Sequence, residues 1–175
     1  MKFRNATQAD IAQICTIERL PEFRTMIASW AEDQHARMLA EPDALYIVAE
    51  DSSGRIAGFA IMQGLLSEHK QVELKRIVVR TPNQGVGKKL LTEVADRAFG
   101  AHAAHRLFLD VFVTNDRARH VYENFGFREE GIMRDVIYRD GAYHSLALMS
   151  LLETEYRCGR KTHAQEAVKQ GGMHE

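Results

Sequence analysis

The run Leu74-Lys75-Arg76-Ile77-Val78-Val79-Arg80-Thr81-Pro82-Asn83-Gln84-Gly85-Val86-Gly87-Lys88-Lys89-Leu90-Leu91 holds the chain's clearest chemical potential. It reads as a buried strand, a turn built on proline and glycine, and the start of an amphipathic helix. The first N–H groups of a helix have no intrahelical partner, so such a turn is an anion site, and phosphate is its usual occupant. The common phosphate loops do not fit. A dinucleotide fingerprint needs a third glycine where Leu90 stands, and a P-loop needs Ser or Thr where Lys89 stands. Backbone freedom at a strand-to-helix turn explains the glycines equally well, so the decision lies elsewhere in the chain. The eight histidines have no metal-ligand spacing, and there is no Gly-x-Ser-x-Gly or paired Cys/His nucleophile pattern. A covalent intermediate is therefore not expected.

Several elements must position this turn. The β-branched Ile77, Val78 and Val79 favour an extended backbone, and Pro82 keeps the next helix from starting early. Val86, Leu90, Val94 and Ala98 then recur every four residues, with Leu91, Ala95 and Phe99 widening the same face. Upstream, Phe3 to Ala6 is a short strand, and Thr7 with Asp10 has capping-box spacing ahead of Ile11, Ile14, Cys15 and Ile17. Ser29-x-x-Glu32 repeats that signal before Ala36, Met38 and Leu39. These two helices are placed to roof a cleft, with Trp30 as a core or lid residue. Strands follow at Ala44 to Glu50, Arg55 to Leu66 and Lys70 to Arg80, predicting an antiparallel meander. The strand from Arg106 to Val113 comes after a helix and so should pair in parallel with its predecessor.

Composition narrows the class. Hydrophobic residues are 45% and charged residues 27% of 175, which predicts one ordinary globular domain able to bury a core. A net charge of −1 argues against nucleic acid as a partner. Two cysteines without a CxxC spacing suit a reducing compartment and supply neither a disulfide framework nor a zinc site. No signal-like or membrane-spanning apolar run is present, so the expected location is cytoplasmic, with no membrane partner. The segment 153–175 is polar, with Tyr156, Ala164, Ala167 and Val168 its only apolar marks. It reads as an extension beyond a 1–152 domain, disordered towards its end.

A second informative stretch runs from Asn115 to Phe127. Asn115 is a good N-cap, Asp116 complements the helix dipole, and Gly126 stops the helix. Ala118, Val121, Tyr122 and Phe125 share one face. Capping and core packing alone would account for this pattern.

Taken in order, the two stretches resemble the GNAT superfamily of acetyl-CoA-dependent N-acetyltransferases. Gly85-Val86-Gly87 is similar to its (Gln/Arg)-x-x-Gly-x-(Gly/Ala) turn. Asn115, Ala118, Tyr122, Gly126 and Phe127 match Asn-x-x-Ala-x-x-x-Tyr-x-x-x-Gly-Phe in full. Pro82 stands where the family has Gln or Arg, which removes one side-chain contact to pyrophosphate. The resemblance covers about Ala44 to Leu152. It implies an α/β (α+β mixed-sheet) fold, with about seven mostly antiparallel strands, one splayed parallel pair and about four helices.

It also implies acetyl-CoA as co-substrate and no metal. The strand Ile77, Val78 and Val79 would pair with the pantetheine arm, and the Val79 amide would polarise the thioester carbonyl. The backbone of Gln84, Gly85, Val86, Gly87, Lys88 and Lys89 would hold the pyrophosphate. Asn115 would bind the pantetheine arm, with Ala118 on the same helix, and Tyr122 would protonate the departing thiolate. An alkylamine with a pKa of about 10.4 is only about 0.1% neutral near neutral pH, a deficit of roughly 4 kcal/mol that calls for a general base. Glu73 is the candidate and Asp110 the runner-up; an exposed Glu73 paired with Lys70 or Lys75 is the plain alternative. Phe127-x-x-Glu130-Gly131, Asp140-Gly141-x-Tyr143 and Met149 look like the branch acetylating small amines, polyamines, amino acids or peptide N-termini. Glu129, Glu130, Asp135 and Asp140 hint at a cationic acceptor. A non-catalytic acyl-CoA-binding sensor is the alternative function, and a homodimer is compatible with either.

Overall fold

The computed structural model describes residues 1–23 and 26–160. Strand β1 is Lys2–Asn5, helix α1 Ile11–Glu18, helix α2 Glu32–Ala40, and strands β2, β3 and β4 are Ala44–Glu50, Ile56–Gln63 and Gln71–Val79. Helix α3, Val86–Asp96, continues as a π-helical turn over Arg97–Ala101. Then come β5 (Arg106–Phe112), α4 (Asp116–Phe125), β6 (Arg128–Arg139) and β7 (Ala142–Leu152), followed by a helical segment α5 over 153–160. The strands form one seven-stranded sheet in the order β1-β2-β3-β4-β5-β7-β6. Its single parallel contact is β4 with β5. The predicted mixed sheet is therefore observed. Asp140 and Gly141, with φ of 53° and 80°, make the tight β6–β7 turn that an Asp-Gly pair favours.

Each face of the sheet has its own core. Helix α3 covers one face through Val86, Leu90, Leu91 and Val94, against Ile47, Met62, Leu74 and Leu107. On the other face α1 and α2 lie over Tyr46, Phe59, Ile61 and Val78. They form the expected roof, but the second expected capping box is not there. Helix α2 starts at Ala31 with no side-chain cap. The Ser29 hydroxyl instead donates to the Glu18 carbonyl at 3.4 Å, and the Trp30 amide donates to the Glu18 carboxylate at 3.1 Å. Glu18 thus engages both residues, Ser29 through its main-chain carbonyl and Trp30 through its buried carboxylate, and the Ser29 hydroxyl is drawn away from the cap.

Two irregularities of β4 shape the cleft. Ile61 pairs with Arg76 and Met62 with Leu74, which leaves Lys75 as a bulge with no partner on β3. The extra residue inverts the alternation of faces. Val72 and Leu74 belong to the α3 core, and beyond the bulge it is Ile77 and Val79, not Arg76 and Val78, that pack there. The second irregularity is the splay. Strand β5 pairs with β4 only at Gln71↔Arg106, Val72↔Leu107 and Glu73↔Phe108, then leaves it.

The polar extension does not begin as coil. Tyr156 of α5 stacks on Phe125 at 6.0 Å, lies 5.3 Å from Phe99 and donates to Asp96 at 3.0 Å. The expectation of disorder falls on 161–175, outside the described residues. No described helix is long and apolar enough to cross a membrane.

Candidate active site

The splay leaves a wedge between β4 and β5, and the residues singled out from the sequence gather along it. The Arg80 amide donates to Ala57 of β3 at 2.7 Å. Alternation along a strand therefore turns the Val79 N–H the other way, towards the space that β5 has vacated. Ile77 presents its backbone to the same side. The Val78 side chain is 2% exposed and belongs to the roof core, and the same alternation turns its backbone N–H and C=O to β3, so of the three expected contacts Val78 faces away from the wedge.

At the top of the wedge the chain turns through Pro82, Asn83 and Gln84 into α3. Asn83 and Gly85 adopt left-handed φ values of 64° and 72°, and Gly85 is the N-cap residue of the helix. A Cβ built on Gly87 would meet only Val79 Cγ1, at 3.7 Å, so packing within the protein does not require glycine there. Compare Gly58, where a Cβ would lie 2.8 Å from the Val78 carbonyl oxygen and glycine is a packing necessity. Lys88, Lys89 and Arg117 form no ion pair with the described residues, and Lys88 and Lys89 are exposed. Arg117 of α4 reaches across to donate to Asn83 Oδ1 at 3.0 Å. Free helix amides, a glycine with room in front of it and uncommitted cations are suited to phosphate. No local pattern singles out Arg117, because the bridge joins α4 to a turn 34 residues away in sequence.

Helix α4 supplies the other wall. Asn115 Oδ1 accepts the Ala118 amide at 3.1 Å, so its carbonyl oxygen caps the helix and its amide group is left for a ligand. Ala118 packs against the core beneath this turn. Tyr122 is half-buried, its ring 5.8 Å from that of Phe127, and its hydroxyl makes no hydrogen bond with the described residues. Burial and the nearby Asp110 carboxylate both push the Tyr122 phenol above its usual range, so it is held protonated.

The carboxylates behave differently from each other. Glu73 is half-buried and ion-paired with Lys75 at 3.0 Å, the arrangement named as its plain alternative. Asp110 is open to water on the wedge but closely ringed by protein, and that desolvation raises its pKa. Glu73 adds to the rise, and Lys75 opposes it. Below them a cavity of about 210 Å³ is lined by Asp43, Gln63, Ser67, Gln71, Glu73 and Phe108. The acidic residues of the hairpin are largely committed. Glu129 pairs with Arg119 at 2.8 Å, and Glu130 binds Arg106 and Ser150, both at 2.6 Å. No cluster of His, Cys, Asp and Glu among the described residues is arranged to hold a metal ion.

One buried group went unnoticed in the sequence. Glu18, His35 and Tyr46 are 0%, 0% and 1% exposed, with His35 3.2 Å from Glu18 and 3.0 Å from the Tyr46 hydroxyl. Arg76 closes the network on Glu18 and stacks over Trp30 at 4.2 Å. Trp30 is thus a half-buried residue joining the roof to β4.

Comparison with known proteins agrees with this geometry. The family model described as the acetyltransferase (GNAT) family matches residues 11–127. The spermidine N(1)-acetyltransferase of Vibrio cholerae is 26% identical over 153 residues, covering 80% of this chain and 87% of that protein. The Escherichia coli K12 spermidine N(1)-acetyltransferase is 27% identical over 123 residues, covering 68% and 64%. Among solved structures, the Vibrio cholerae spermidine N-acetyltransferase in complex with CoA and spermine superposes with a TM-score of 0.78 at 22% identity, over 89% of this chain and 96% of that one. The chain belongs to the acetyltransferase (GNAT) family and is an acyltransferase with acetyl-CoA as its co-substrate.

Proposed function

We propose that this enzyme transfers an acetyl group from acetyl-CoA directly to a primary amine, and that the acceptor is a small cationic amine of the polyamine class. The observation that carries this reading is the end of the β4–β5 ladder at Glu73↔Phe108. It leaves the Val79 amide facing an open wedge bordered by a carboxylate on each strand, Glu73 on β4 and Asp110 on β5, with the protonated Tyr122 on the α4 side. The relatives are spermidine N(1)-acetyltransferases, which favours a polyamine, and Glu73, Asp110 and Asp43 around the cleft and cavity suit an ammonium-bearing chain.

In this reading the loop from Gln84 to Lys89 receives the pyrophosphate on its free amides. The β4 backbone from Ile77 to Val79 and the amide of Asn115 hold the pantetheine arm. Glu73, through water, takes the proton from the acceptor nitrogen, with Asp110 as the second candidate. The amine attacks the acetyl carbonyl, and the Val79 N–H stabilises the charge that develops on its oxygen, a contact typically worth about 3–4 kcal/mol. The C–S bond breaks, and Tyr122 gives its proton to the leaving thiolate. Pairing of two copies is supported by the edge strand β6, where Ile132, Val136 and Tyr138 are exposed beside Tyr143 of β7.

The test is CoA release from acetyl-CoA with a panel of polyamines, diamines, monoamines, amino acids and peptides. Turnover should be highest with polyamines. If no amine releases CoA above background, the acetyl-transfer reading fails; if peptides dominate, the polyamine assignment fails alone.

A further inference from the structure

Lys75 has no role in the chemistry derived above, yet its position is unusual. It is the bulge residue of β4, so it lacks a cross-strand partner on β3 just where β5 parts from β4. Its Nζ lies 3.0 Å from Glu73 Oε1, with the two side chains 36% and 21% exposed. The same ammonium acts electrostatically on Asp110 across the wedge, against the influence of Glu73. The protein thus places a primary ammonium of its own on Glu73, within electrostatic reach of Asp110, the other carboxylate that an incoming alkylammonium would use. The remaining charged groups around it are committed or face elsewhere. Arg76, the next residue of β4, is bound to the buried Glu18. Asp43 is the exception: it lines the cavity with Glu73, and the Leu66 amide at 2.7 Å and the Gly64 amide at 3.2 Å take one acceptor site on each of its oxygens, leaving others for an ammonium. Tyr122 on α4 is held neutral.

We propose that Lys75 is an acceptor-specificity residue: its ammonium occupies the site of the acceptor's amino group on Glu73 and Asp110, and a cationic acceptor binds by displacing it. This inference rests on the proposed acceptor site. A monoamine can do no more than replace one ammonium by another, so it gains little. A diamine or polyamine replaces Lys75 and also carries a second ammonium towards the cavity lined by Glu73 and Asp43. The internal lysine therefore raises the threshold for binding and favours acceptors with more than one charge. It also opposes the rise in the Asp110 pKa that burial and the charge of Glu73 cause.

The experiment compares wild type, Lys75→Met and Lys75→Arg in steady-state acetylation of a polyamine, a diamine and a monoamine. Lys75→Met should lower the KM for all three amines, by about two- to fivefold, the worth of a part-exposed ion pair. The polyamine-to-monoamine preference should narrow, and the KM for acetyl-CoA should stay unchanged. Losing the cation raises the pKa of Asp110, so the acidic limb of kcat/KM should move to higher pH. Lys75→Arg keeps the charge and should keep wild-type selectivity and limb. An unchanged or higher acceptor KM in Lys75→Met, with the limb in place, overturns the proposal. Because wild type must first turn over an amine, failure of the acetyl-transfer reading would show in that arm alone, and failure of the Lys75 proposal only in the comparison.

Discussion

Strand β4 carries two acid–base clusters three residues apart, and they are held in opposite ways. At Arg76 the partner is Glu18, fully buried and bonded to His35, to the Trp30 amide and to the guanidinium. At Glu73 the partner is Lys75 alone, in a wedge open to water. Burial alone would raise the Glu18 carboxyl, but His35 and Arg76 outweigh it and hold Glu18 below the usual carboxylate range. Asp110 shows the reverse, raised by desolvation that Lys75 only partly offsets. A carboxylate whose acceptor sites are filled by its own protein has nothing left for a substrate. One with a single, part-exposed partner is available for proton transfer. The pair separates structural from chemical acidity within one strand.

The largest expected break in this contrast is Glu18→Gln. It leaves Arg76 buried without a counter-charge, and breaking such a pair costs about 3–5 kcal/mol. Chemical denaturation should show that loss, and one below about 1 kcal/mol would mean that the network is not what fastens the roof. The sign of the acid dependence follows from the lowered pKa. Glu18 contributes fully above the unfolded carboxylate value of about 4.3, and that contribution is lost as pH falls through the lower folded value. The variant should lose stability less steeply in acid than wild type.

Glu73→Gln addresses the other cluster. It should leave stability within about 1 kcal/mol, because a part-exposed ion pair is worth no more, while kcat/KM falls about 10²-fold or more, the size of a general base. Asp110→Asn gives the matched measurement. If it is the more damaging of the two, the proton is taken from the β5 side of the wedge. The smallest effect is Tyr122→Phe, for which kcat should fall about tenfold with little change in acetyl-CoA KM, since a thiolate of pKa about 8.5 already leaves readily. A 10³-fold loss there would make thiolate protonation the main barrier and move the chemistry away from the carboxylates.

What could be read in advance was local. The Asn115 cap, the Gly126 stop and the Asp140-Gly141 turn depend on residues a few positions apart, and all are present. The parallel contact of β4 and β5 followed from a strand, a helix and a strand in succession. The bulge at Lys75 was not legible, since it exists only in register with β3. The Ser29 cap failed for the complementary reason: Glu18, eleven residues away in sequence, competes for Ser29 and Trp30 once α1 and α2 pack together. The Lys75 contact had been foreseen only as one of two plain surroundings for Glu73. Its wider relation to Asp110 needed both walls of the wedge.

The seam between β4 and β5 is held apart from both sides. Strand β4 is fastened to β3 as far as Val79, and β5 is fastened to β7 along all seven of its residues. Neither can move towards the other without tearing its outer ladder. The sheet thus keeps an open seam beyond Glu73↔Phe108, and an extended chain that offers amide groups is its natural filling. In the proposed function the donor's pantetheine arm would serve as a temporary strand, joining the two half-sheets beyond Glu73↔Phe108 only while it is bound.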